Sequence, residues 1–104
     1  MRLGQHREPV VLVASADALL AASVQRRLTA HGYATAVAHS GDGCLRVATS
    51  LGPDLVVLDN RLAPRTDRLL RAHPRSRRAR LVRLSPGALA SLCRAPATAL
   101  LGAP

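Results

Sequence analysis

The sequence has no lysine, no phenylalanine and no tryptophan, and Tyr33 is its only aromatic residue. A core made without rings has to be aliphatic and alanine-rich. A surface without rings offers nothing on which a flavin or a single-stranded nucleic acid would stack. Cysteine is scarce as well: Cys44 and Cys93 lie far apart in apolar contexts, with no C-x-x-C pair and no histidine at ligand spacing. Buried free thiols are expected from them, not a disulfide or a metal centre. His6, His31, His39 and His73 show no ligand spacing among themselves either. No apolar run is long enough to span a membrane. Arg2 and Arg7 precede an apolar run ending in Ala14-Ser15-Ala16, the outline of a secretory leader, but the run is short and Asp17 follows at once. A cytoplasmic location is expected.

What is abundant is arginine. All fifteen basic residues are arginine against six carboxylates, for a net charge of +9. Such a balance suits nucleic acid, an anionic membrane or an acidic partner. Arginine without lysine, beside many Ala, Leu, Gly and Pro residues, is also what a GC-rich genome encodes, so the charge alone assigns no partner. The 104 residues, 48% of them hydrophobic, are expected to form one domain over 1–104 with a modest core, a composition that argues for a globular protein and against a disordered tail.

The most informative stretch is Gly52-Pro53-Asp54-Leu55-Val56-Val57-Leu58-Asp59-Asn60. Its apolar run, bounded by turn residues, reads as a fully buried strand that carries Asp59 to the rim of a sheet. In open parallel α/β sheets the carboxyl ends of the strands are where ligands bind. Upstream, Val10 to Ala14 is a similar buried strand, and Asp17 or Ser15 can cap the helix after it. Leu20, Val24 and Leu28 form the apolar stripe of that helix, and His31-Gly32 ends it. Tyr33 to Ala38 is a weaker strand. Ser40-Gly41-Asp42-Gly43 opens a second helix with Cys44, Val47, Ala48 and Leu51 on one face.

After Asp59 the pattern thins. A loop from Arg61 to Thr66 precedes at most two helical turns, Asp67 to Ala72, and His73-Pro74 breaks the chain before a basic loop. Leu81 to Leu84 is a fourth strand ending on Ser85, Pro86 to Cys93 a short helix, and Ala99-Leu100-Leu101 a last edge strand. Strands alternating with amphipathic helices on short loops predict right-handed βαβ units, hence an α/β doubly wound parallel sheet.

With these elements in place, the chain from Val10 to Pro104 resembles the receiver domain of bacterial two-component response regulators. The resemblance rests on Val11-Leu12-Val13-Ala14-Ser15-Ala16-Asp17, on Ser40-Gly41-Asp42-Gly43-Cys44-Leu45, and above all on Pro53-Asp54-Leu55-Val56-Val57-Leu58-Asp59. His73-Pro74 to Ser85 and Ala97 to Pro104 fit as the approach to strand four and as strand five. It implies a flavodoxin-like fold with strand order 2-1-3-4-5, here with the last helix missing, and a function in phosphorelay signalling rather than as an enzyme. By the same resemblance Asp59 is the phosphoacceptor for a histidine kinase, Ser85 the phosphate contact, and Mg²⁺ is held by Asp59 with an acidic pair after strand one.

Only part of that equipment is present. The acidic-pair positions fall on Ser15 and Ala16, leaving Asp17 as the single carboxylate at that corner. The lysine position falls on Ala103 and the usual aromatic on Leu100. Phosphoryl transfer relies on positioning and cationic stabilisation, and Mg²⁺ on hard oxygen ligands. A chain short of both is expected to transfer slowly, if at all. Arg61 and Arg65 are the candidates to supply the missing positive charge, and Asp17 doubles as a helix cap and a weak metal ligand.

Two further expectations follow. A missing last helix would leave an apolar strip beside helix one for a second copy or a partner protein to cover. The alternative reading is a small basic adaptor that binds nucleic acid through the Arg75 to Arg83 cluster; with no aromatic beside that cluster, it ranks second.

Overall fold

Alternate residues of the central strands face opposite ways, and the sequence supplies apolar side chains for both sides. Val11 and Val13 join Leu55 and Val57 in one core cluster, while Leu12 and Ala14 join Val56 and Leu58 in the other. A strand buried on both faces has to read as an unbroken apolar run, which is why these two stretches stood out. The structure, a computed structural model, describes residues 9–93.

The elements run Val10–Ala14 (β1), Ala18–Ala30 (α1), Ala34–Ala38 (β2), Gly41–Leu51 (α2), Leu55–Asp59 (β3), Arg65–Ala72 (α3), Arg80–Leu84 (β4) and Pro86–Leu92 (α4). The strands form one parallel sheet in the order β2-β1-β3-β4. This is an α/β sheet of the flavodoxin-like kind, matching the expected order through its fourth strand. The fifth strand expected at 99–101, the positions Leu100 and Ala103, and His6 lie outside the described residues.

Short side chains set the helix boundaries. Asp17 accepts from the Leu20 amide and Ser40 from the Gly43 amide, capping α1 and α2. Gly52 ends α2 in the left-handed conformation at φ 65°, which glycine adopts without the steric cost a Cβ brings. Helix α1 buries Ala21, Val24 and Leu28 on one side of the sheet. On the other side lie Cys44 and Ala48 of α2 and Leu70 of α3.

The last described helix departs from expectation. Leu89 of α4 is fully buried in the same cluster as Ala21, Val24 and Leu28, with Leu92 and Cys93 packed against it. The apolar strip beside α1, expected to stand open for a second copy, is therefore covered from within the chain. A right-handed crossover from β4 to a strand beyond it would have carried this helix along the α2 and α3 side instead. No helix among the described residues is long and apolar enough to cross a membrane.

Candidate functional site

β1 and β3 are adjacent and in register, with Ala14 opposite Leu58, so the next residue of each chain segment, Ser15 and Asp59, meet at the carboxyl rim. Ser15 Oγ donates to Asp59 Oδ2 at 2.8 Å, and both residues are buried. The same hydroxyl accepts from the Asp17 amide at 3.1 Å, tying the corner after β1 to the end of β3. His39, just past β2, lies 3.1 Å through Nδ1 from the Ser15 carbonyl oxygen.

Arg61 completes the site. The turn after β3 closes with the Leu62 amide on the Asp59 carbonyl, which brings the side chain two residues on back over the strand end. The Arg61 amide donates to Asp59 Oδ1 at 2.9 Å. Its Nε lies 3.0 Å from Oδ1 and 3.2 Å from Oδ2, and its Nη2 also donates to Oδ2. The carboxylate is gripped by a guanidinium fork, the strongest arrangement protein donors offer it. These hydrogen bonds, the Arg61 side chain first, hold Asp59 well below the usual carboxylate range although burial alone would raise it. Arg61 is in turn shifted up, by its bonds to Asp59 and by the charges of Asp59 and Asp17.

A second arginine holds the loop from the far side. Arg83 of β4 forks onto Asp67 of α3, with Nε 2.9 Å from Oδ1 and 3.0 Å from Oδ2. The rest of its guanidinium donates to the carbonyls of Leu62 and Ala63 at 3.0 and 2.9 Å. Sequence reasoning placed Arg83 in a basic cluster. The signal that would have separated it is Asp67, the single carboxylate between Asp59 and the end of the chain.

The predicted site residues therefore divide. Asp59, Arg61 and the Ser15–Asp17 corner come together. Arg65 stands apart, lining a cleft with Ser40, Gly41, Asp42, Thr66 and Leu69. The Ser85 hydroxyl accepts from the Ala88 amide and caps α4. Within the basic loop Arg75 donates to the Ser50 carbonyl, whereas Arg77 and Arg78 are exposed. A depression of about 600 Å³, lined by Pro53, Asp54, Pro74 and Arg75 among others, lies at the opposite end of the strands from Asp59.

The resident group that the fold implies here is Mg²⁺, and these donors do not suit it. Both Asp59 oxygens face the Arg61 guanidinium, and the Asp17 carboxylate accepts from the Leu20 amide. No cluster of three metal-ligating side chains occurs among the described residues. An octahedral ion wants more oxygens than this corner presents, and it would have to share it with a cation already there.

A parallel sheet in this order, with a buried aspartate at the end of its third strand, is the arrangement of the receiver-like fold. Solved structures share this fold. The chain is similar to the N-terminal domain of a response regulator receiver protein from Methanoculleus marisnigri JR1, with 26% identity and a TM-score of 0.67 over 73% of this chain and 65% of that one. It is similar also to a CheY-like response regulator receiver domain protein from Methanospirillum hungatei JF-1, with 15% identity and a TM-score of 0.68 over 92% of this chain and 90% of that one. A response regulator from Desulfuromonas acetoxidans matches at 16% identity and a TM-score of 0.67, over 90% of this chain and 76% of that one. No protein-family model and no curated protein matches the sequence. In fold, the chain is similar to receiver domains.

Proposed function

We propose that the chain is a receiver-like module of phosphorelay signalling that acts by protein contact, with Arg61 serving as the fixed counterion of Asp59. The observation that carries this reading is the Asp59 carboxylate itself, buried and bonded at both oxygens to Arg61 and Ser15. A carboxylate oxygen attacks a phosphoryl group with a lone pair, and here the lone pairs are engaged by a guanidinium and a hydroxyl. The guanidinium neutralises the resting aspartate and so removes the charge on which a metal ion would depend. Transfer to Asp59 then requires Arg61 to leave first, which opposes reaction at the first step.

The partners that suit such a module are a histidine kinase or another signalling protein. The test is incubation with acetyl phosphate and Mg²⁺, read by intact mass, on the wild type, Asp59→Asn and Arg61→Ala. No adduct on the wild type is expected. An adduct that Asp59→Asn abolishes would overturn the reading and make the protein a working phosphoacceptor.

A further inference from the structure

We infer that the outward face of α3 and the turns that follow it form a binding surface for the phosphate backbone of a nucleic-acid duplex, apart from Asp59. The first observation is where the charge lies. Residues 1–64 hold six arginines against five carboxylates, whereas residues 65–83 hold eight against Asp67 alone. Asp67 is itself taken by Arg83. Codon bias acts on a whole gene and does not gather +7 of a net +9 into one short segment.

The second observation is how the fold displays these residues. With about 3.6 residues per turn, Arg65, Arg68 and Arg71 fall within about 120° of arc along about 9 Å of helix, opposite the buried Thr66 and Leu70. All three arginines are exposed. The chain continues through Arg75, Arg77 and Arg78, also exposed, in a segment held by its own bonds. The buried Ser76 hydroxyl donates to the Leu70 carbonyl at 2.6 Å, and the Ser76 and Arg77 amides donate to the His73 carbonyl at 3.1 and 2.8 Å. A surface fixed in advance has little ordering to lose on binding.

Chemistry selects the occupant. A guanidinium fork matches two phosphate oxygens at once. A duplex carries one negative charge per about 1.7 Å of axis, so a row of this length meets several phosphates in any register. Single strands are held by aromatic stacking, and residues 65–83 contain no Phe, Tyr or Trp. A membrane surface would favour apolar side chains set among the basic ones, and Leu69 is the one large apolar residue exposed on α3. Asp54 opposes: it shares a depression with Arg75 and Arg78 and limits affinity on that side.

The experiment is fluorescence anisotropy of labelled DNA and RNA duplexes of unrelated sequences, titrated with the full chain from about 50 to 200 mM salt. Binding that is indifferent to sequence, weaker for a single strand of equal length and steeply lost with salt is expected. The duplex bound more tightly identifies the kind of nucleic acid. Arg68→Gln, Arg71→Gln and Arg78→Gln should each weaken binding severalfold and lower the slope of log Kd against log salt by about one. Arg26→Gln, which removes the same charge from α1 on the other side of the sheet, should leave binding and slope unchanged. Absence of duplex binding, or equal losses in all four variants, would overturn the assignment. So would a preference for phosphatidylserine vesicles or a polyglutamate peptide over either duplex.

Discussion

Ser15 Oγ and Asp59 Oδ2 stand 2.8 Å apart across the β1–β3 pair, a buried contact between residues 44 apart in sequence. It links the corner that carries Asp17 to the strand end that carries Asp59, and Arg61 closes the same carboxylate from the solvent side. Removing any one of the three leaves the others with an unmet charge or lone pair.

Arg61→Ala strips the buried Asp59 carboxylate of its counterion and is expected to destabilise the fold, by less than the loss of a fully buried partner would because the guanidinium is half exposed. In the Asp59→Asn background the same change should cost much less, so the two effects should not add when followed by urea denaturation. Additive effects would mean that the pair contributes nothing in solution.

The lowered pKa of Asp59 fixes a direction of pH dependence. A group lowered in the folded state stabilises the protein above its unfolded pKa of about 4 and loses that contribution as pH falls toward the folded value. The wild type should therefore lose stability below about pH 4 more steeply than Asp59→Asn, as followed by thermal melts across pH 2–6. Parallel curves would show that Asp59 titrates normally.

Cys44 is fully buried and its thiol is pushed up to about 11, chiefly by burial, while Cys93 is partly exposed. Iodoacetamide should add once to the native protein, at Cys93, and a second time only on unfolding. Rapid native labelling of Cys44 would contradict its place among Leu12, Val56 and Leu58.

Arg83→Met keeps much of the side-chain volume but removes the fork onto Asp67 and the bonds to Leu62 and Ala63. Stability should fall by about 1–3 kcal/mol, and amide hydrogen exchange should quicken from Arg61 through Thr66. Unchanged exchange there would show that the loop is held by its own turn.

Much of this was legible in the chain because it is written locally. The apolar runs of β1 and β3, the stripe of Val24 and Leu28, and the caps at Asp17 and Ser40 each depend on neighbours a few residues away. Asp59 was legible for the same reason, as the first charge after a buried run. What distinguishes Arg61 from Arg65 is not local: both follow Asp59 on a loop, and only the closing turn brings one back over the carboxylate while α3 carries the other away. The side of the sheet that α4 covers was hidden too, since a seven-residue helix with Leu89 and Leu92 suits either face. The pairing of Arg83 with Asp67 spans 16 residues and leaves no periodic trace.

Arg83 joins β4, the start of α3 and the backbone beside Asp59 with one side chain. The loop after Asp59 is thereby tied to the sheet edge and to α3 through a single residue, so a change at position 83 reaches all three elements at once.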